Sequence, residues 1–221
     1  MLHPLPRYIF RTIIGGAVAL TLLGSSGAFA QAVRVDTPDA KSIDALLAPY
    51  FNRDEPGATV IVTQDSKPIF RKAYGLANLE TKAEMTPEMV LRMGSITKQF
   101  TAVGIMILVD QGKLTINDEI TKHLPDYPTQ GKKITIENLL THTSGIKGYT
   151  SMPTFRSIMH TDMTVAAMID FFKNEPFEIE PGTRYTYSNS GYFLLGAIIE
   201  KISGKSYADF VAQQIFEPLG M

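Results

Sequence analysis

One pair of β-prone runs faces a long succession of helical patterns in this chain, and that imbalance limits the folds open to it. "GATVIVTQ" (57–64) and "PIFRKAYGLAN" (68–78) are rich in β-branched and aromatic residues. Asp65, Ser66 and Lys67 separate them, which predicts a hairpin. Ahead of it, "AKSIDALLAPYF" spaces Ile43, Leu46, Leu47 and Tyr50 as an amphipathic helix ending near Pro49. Behind it, from Ser95, Phe100, Val103, Gly104, Ile107 and Leu108 share one helical face, and Gly112 ends the run. Pro125 and Pro128 interrupt "HLPDYP". Further helices are expected from Thr135 to a turn at Gly145, over "TVAAMIDFFK", and over "SGYFLLGAIIEKISG" closing at Gly204. A two-stranded hairpin is marginal alone and needs more strands against its apolar face. Nothing else reads clearly as a strand, so strands of this fold are expected to be missing after Met221. The fold class is α+β: an antiparallel sheet flanked by helices, plus a helical subdomain. One domain is expected over 31–221, with helix and hairpin in 40–92 and a mainly helical lobe in 93–221.

The N-terminus fits export. Arg7 and Arg11 precede a short apolar run at 13–23, and Ala28 and Ala30 supply small residues at a peptidase site. A signal peptide over 1–30, cleaved after Ala30, is expected. The run falls short of the roughly 20 residues a bilayer span needs, so no stable membrane span should remain after cleavage. The mature chain is expected in the periplasm or secreted. The absence of cysteine excludes disulfides, thiolate metal ligation, a lipoprotein anchor and a cysteine nucleophile. A net charge of -1 without a basic stripe argues against nucleic acid as a partner.

The chemistry centres on "MGSITKQF". Ser95 and Lys98 are three apart where a loop becomes a helix, so the two side chains share a face. A serine hydroxyl becomes a useful nucleophile only when a neighbour takes its proton, which a desolvated lysine near positive potential can do. A helix N-terminus supplies such potential, and its amides can bind an oxyanion. Alternatively Ser95 only caps the helix, although Lys98 stands where a capping box would place Glu or Gln. Ser144 and Lys147 repeat the spacing, but Gly145 and Gly148 make a shared helical face unlikely to form there.

"PGTRYTYSNSGY" adds Tyr187 and Asn189 ahead of an apolar helix. In an extended loop their side chains point the same way and that of Ser188 the other. A phenol beside an ammonium shifts toward phenolate and can share proton transfer. An Asn can hold a substrate amide through donor and acceptor together. The plainer alternative makes Tyr187 a core aromatic and Asn189 a helix cap.

Together with "ITIENLLTHTSGI" and "PGATVIVTQDSKPIFRKAYGLANLETK", these stretches resemble the serine β-lactamase and penicillin-binding-protein superfamily. The resemblance is to its class C β-lactamase, D-alanyl-D-alanine carboxypeptidase and esterase branch, and it spans nearly all of 56–221. It implies that Ser95 is the acylated nucleophile, Lys98 its proton partner and Tyr187 the completing base. Asn189 would contact the substrate amide. No cofactor and no metal are implied. The substrate would be a β-lactam, a D-Ala-D-Ala peptide or a small ester. His142 is expected to be structural, buttressing the turn at Gly145, and nothing marks His123 or His160.

The family's third element, a Lys-Thr-Gly or His-x-Gly strand segment after the Tyr-x-Asn loop, has no counterpart in these residues. "KISGK" closes a helix and comes too soon. The chain therefore reads as the front part of such a protein. A catalytically incomplete form that only binds peptidoglycan-like peptides is the competing function. Without G-x-S-x-G or H-E-x-x-H, an α/β-hydrolase esterase and a zinc hydrolase are set aside.

Overall fold

The computed structural model describes residues 39–221, and the leader expected over 1–30 lies outside the described residues. The chain divides into two compact units, with the boundary between Met89 and Val90.

In the first unit, helix α1 (Ala40–Leu47) starts at Asp39, whose carboxylate accepts the Ser42 N–H at 2.7 Å. Such a cap is worth about 1 kcal/mol. Strands β1 (Ala58–Gln64) and β2 (Lys67–Tyr74) pair antiparallel, with Ala58 opposite Tyr74 and Gln64 opposite Lys67. Asp65 and Ser66 both take positive φ (49° and 62°), as the tight primed hairpin turn requires, and Lys67 belongs to the strand. Tyr74 stacks on Phe51 at 4.9 Å and donates its hydroxyl to Asp44, which also takes Lys72. A second small sheet joins β3 (Leu76–Asn78), at the end of the second β-prone run, to β4 (Ala83–Glu84), which the sequence pattern does not mark as a strand. Gly57 permits the approach of these segments: a Cβ there would sit 2.0 Å from the Tyr74 carbonyl oxygen.

The second unit holds the larger core. A 3-10 turn (Gly94–Ile96) runs into α2 (Thr97–Asp110). Then come α3 (Ile136–Leu140), α4 (Phe155–Ile158) and α5 (Val165–Phe172). Helix α6 (Asn189–Ser203) follows, then α7 (Tyr207–Val211), a π-helical turn (Ala212–Phe216) and α8 (Glu217–Leu219). Helix α6 is the hub, burying Leu194, Leu195, Ile198 and Ile199 completely. It packs on α2, α3, α5 and α7. Burying each such side chain contributes about 1.5–3 kcal/mol before entropy.

Helix α2 turns Thr101, Gly104, Ile105 and Leu108 inward. That face is rotated from the one expected, and Val103 is 46% exposed. The cause is composition: α2 is apolar on much of its circumference, so periodicity names the helix but not its buried side. Gly104 lets α2 and α6 close on each other, since a Cβ there would meet Ile199 Cδ1 at 3.0 Å. Helix α6 begins at Ser188, whose hydroxyl accepts the Gly191 N–H, and stops at Gly204 with φ 68°.

Candidate active site

Helices α2 and α6 run the same way, because Lys98 meets Asn189 near their starts and Gly104 meets Ile199 further along. Their N-terminal ends, each carrying partial positive charge, therefore lie side by side. Ser95 and Lys98 come from one end, Tyr187 and Asn189 from the other.

Ser95 Oγ lies 2.8 Å from the Tyr187 hydroxyl oxygen. Lys98 donates to Ser95 Oγ at 3.3 Å and to Asn189 Oδ1 at 2.7 Å. Either hydroxyl can donate in the Ser95–Tyr187 pair, and Oγ can take the ammonium on its other lone pair. Lys98 Nζ also stands 4.9 Å from the Tyr187 ring centroid and 5.5 Å from that of Tyr192. The Lys98 ammonium, then the hydrogen bond with Ser95, hold the Tyr187 phenol below its ordinary pKa, against a smaller opposing effect of burial.

All four residues singled out in the sequence meet here. Ser95 does not cap α2, which has no side-chain cap. Nor does Asn189 cap α6: Ser188 takes that task, which leaves Asn189 free to accept from Lys98 and donate to Thr150 Oγ1 at 2.8 Å. Ser188 adopts extended backbone (φ -135°, ψ 120°), so Tyr187 and Asn189 project to the same side as the alternation requires. The other serine–lysine pair parts company. Ser144 is buried and accepts the Ile146 N–H, while Lys147 bonds Glu175 at 2.9 Å.

Two contributors escaped the sequence reading. Thr150 holds the amide end of Asn189, with no signal beyond proximity to "HTSG". His142 reaches further than the Gly145 turn expected of it. Its Nδ1 accepts the Ser188 N–H at 3.1 Å, and its ring lies 4.5 Å from that of Tyr187. The Gly145 turn is held instead by its own carbonyl, which accepts the Glu178 N–H.

A cavity of about 410 Å³ opens beside Ser95 and Lys98, walled by Tyr149, Tyr192, Phe193 and Ala197. Its lining is aromatic and aliphatic around a few polar groups, the usual make-up of a small-molecule site. No cluster of metal-ligating residues occurs among the described residues.

Comparison with known proteins shows the family. The Beta-lactamase family profile matches residues 40–221, and the chain belongs to that family. Penicillin-binding protein 4* of Bacillus subtilis is 33% identical over 183 residues, covering 82% of this chain and 40% of that protein. The octameric penicillin-binding protein homologue from Pyrococcus abyssi superposes with a TM-score of 0.67 at 35% identity, over 82% of this chain and 42% of the other. A D-stereospecific amidohydrolase from Streptomyces sp. gives a TM-score of 0.69 at 27% identity, over 83% and 55%. The chain thus spans about 40% of the length of the curated relatives it matches. The α+β class, with small antiparallel sheets and several helices, is the fold these neighbours share.

Proposed function

We propose that this chain carries the nucleophilic half of an exported serine hydrolase that works through an acyl-enzyme on Ser95. The observation that carries the reading is the 2.8 Å approach of Ser95 Oγ to a Tyr187 phenol whose pKa is lowered by Lys98. In the phenolate form Tyr187 takes the Ser95 proton as Oγ attacks the substrate carbonyl. Charge developing on the carbonyl oxygen meets the positive N-terminal end of α2 and the Ser95 amide. Collapse breaks the bond to the leaving nitrogen or oxygen, which recovers the proton from Tyr187, with Lys98 holding the pair in line. Water then attacks the ester under the same base and releases Ser95. Asn189, gripped between Lys98 and Thr150, presents its polar edge to the substrate amide.

Substrates that suit this reading are a β-lactam, a D-Ala-D-Ala peptide or a small ester, and the D-stereospecific amidohydrolase neighbour adds amides of D configuration. Nucleic acid is not expected as a partner. Export rests on the leader expected over 1–30, and no helix among the described residues is long and apolar enough to cross a membrane. Intact-mass spectrometry of the purified chain tests the reading, before and after a penicillin or a p-nitrophenyl ester. An adduct localised to Ser95 supports it, and the reactive probe sorts the substrates. A folded chain that takes up neither probe, yet binds D-Ala-D-Ala peptides, would be the binding-only form instead.

A further inference from the structure

We propose that His142 is a positioning residue for Tyr187, holding the loop so that the phenol meets Ser95. This inference rests on the Ser95 acyl-enzyme reading. Two backbone amides flank Tyr187, those of Thr186 and Ser188, and both end on His142. Its carbonyl accepts the Thr186 N–H at 2.8 Å, and its Nδ1 accepts the Ser188 N–H at 3.1 Å. One residue thereby pins the chain on each side of Tyr187, and only the side chain of Tyr187 is left to project.

The same residue also sets the plane of that side chain. The imidazole lies 4.5 Å from the Tyr187 ring and 4.9 Å from the Tyr192 ring, tilted 33° to each, with Tyr185 edge-on at 5.6 Å. Tyr192 is itself tied by its hydroxyl to the Leu140 carbonyl. His142 makes both backbone bonds with its φ at 58°, in the left-handed region that histidine, like asparagine and aspartate, enters more readily than most residues.

The Ser188 bond dictates a protonation state. Nδ1 must be the acceptor, so the neutral ring carries its proton on Nε2. The groups facing it are the Lys98 ammonium from α2, the phenols of Tyr185 and Tyr187 from the loop, and the phenol of Tyr192 from α6. Among the described residues no carboxylate is hydrogen-bonded to it. Burial first, and the Lys98 charge second, keep the ring neutral by lowering its pKa. Protonation would break the Ser188 bond and set a second cation beside Lys98.

Two variants separate acceptor from ring. Asparagine tolerates positive φ and offers an amide oxygen as acceptor, so His142→Asn keeps the Ser188 bond without the imidazole. His142→Phe keeps a ring and loses the acceptor. The readout is the rate of Ser95 acylation by an activated ester as a function of pH, by intact mass, beside melting temperature. His142→Phe should slow acylation about 100-fold, the scale of a displacement of about 1 Å in a reacting group. His142→Asn should retain most of the rate. The wild-type acid limb should steepen where His142 protonates, while the Asn variant keeps a single slope.

Should the Phe variant not fold, the ring nitrogens of the wild type decide by ¹⁵N NMR: a bare Nδ1 at neutral pH supports the role and a protonated one overturns it. Equal rates in wild type and Phe, or an Asn variant as slow as Phe, also overturn it. If wild type shows no Ser95 adduct, the hydrolase reading fails separately. The ultraviolet titration of Tyr187, identified by its loss in Tyr187→Phe, then still tests His142. Its midpoint should move in His142→Phe and stay in His142→Asn.

Discussion

Ser95 with Lys98 and Ser144 with Lys147 share one spacing and end in opposite circumstances. The first pair sits on a continuous turn running into α2, so both side chains meet each other and Tyr187. The second straddles Gly145 at φ 74°, which sends Ser144 inward to the Ile146 amide and Lys147 outward to Glu175. Spacing becomes geometry only when the backbone between the residues is helical. A three-residue interval is chemistry in one place and loop carpentry in the other.

The sharpest way to break that contrast is to remove each serine. Ser95→Ala should abolish the covalent adduct in intact-mass spectra, and a fully labelled Ser95→Ala protein would refute the assignment. Tyr187→Phe comes next, with acylation slowed roughly 100- to 10,000-fold, the range for a lost general base. The pH profile follows from the sign of the phenol's shift. Phenolate is the working form and its pKa is lowered, so the rate should climb with pH and level off below the ordinary tyrosine value of about 10. Lys98→Ala removes the cation responsible and should push that plateau to higher pH; an unmoved plateau would detach Lys98 from Tyr187.

On the other side of the comparison the effects are on stability. Ser144→Ala should leave labelling intact and cost about 1–2 kcal/mol in denaturant unfolding, because the Ile146 amide loses its acceptor inside the core. Lys147→Ala should cost least, under about 1 kcal/mol, since both members of its ion pair reach water. Slower acylation in either variant would mean that the second pair is coupled to the first.

Much of this was readable in the residues, where local chemistry decides. Asp65 and Ser66 mark the hairpin turn, Thr135 opens α3, and Gly204 closes α6. In each case the signal lies within a few positions of its effect. Ser95, Lys98, Tyr187 and Asn189 could be singled out as two clusters, although their meeting depends on the packing of α2 against α6. The missed features are those that depend on distant partners. The buried side of α2 is chosen by Ile199 and Phe210, and β4 is too short to show alternation. Tyr74 found Phe51 and Asp44, which its own neighbourhood does not announce. His142 looked like part of its own turn because nothing nearby in sequence names Thr186 or Ser188.

The absent side chain at Gly104 acts as a spacer gauge. It stands nine positions beyond Ser95, roughly 13 Å along the axis, and touches none of the reacting groups. A Cβ added there presses on the ends of the Ile199 side chain of α6 and the Phe210 side chain of α7. Because α2 and α6 carry the two halves of the site at their matching ends, the packing at Gly104 sets the spacing on which the gap between Ser95 and Tyr187 is built. Evolution or a protein engineer could thus tune reactivity from a distant, chemically silent position, one side-chain volume at a time.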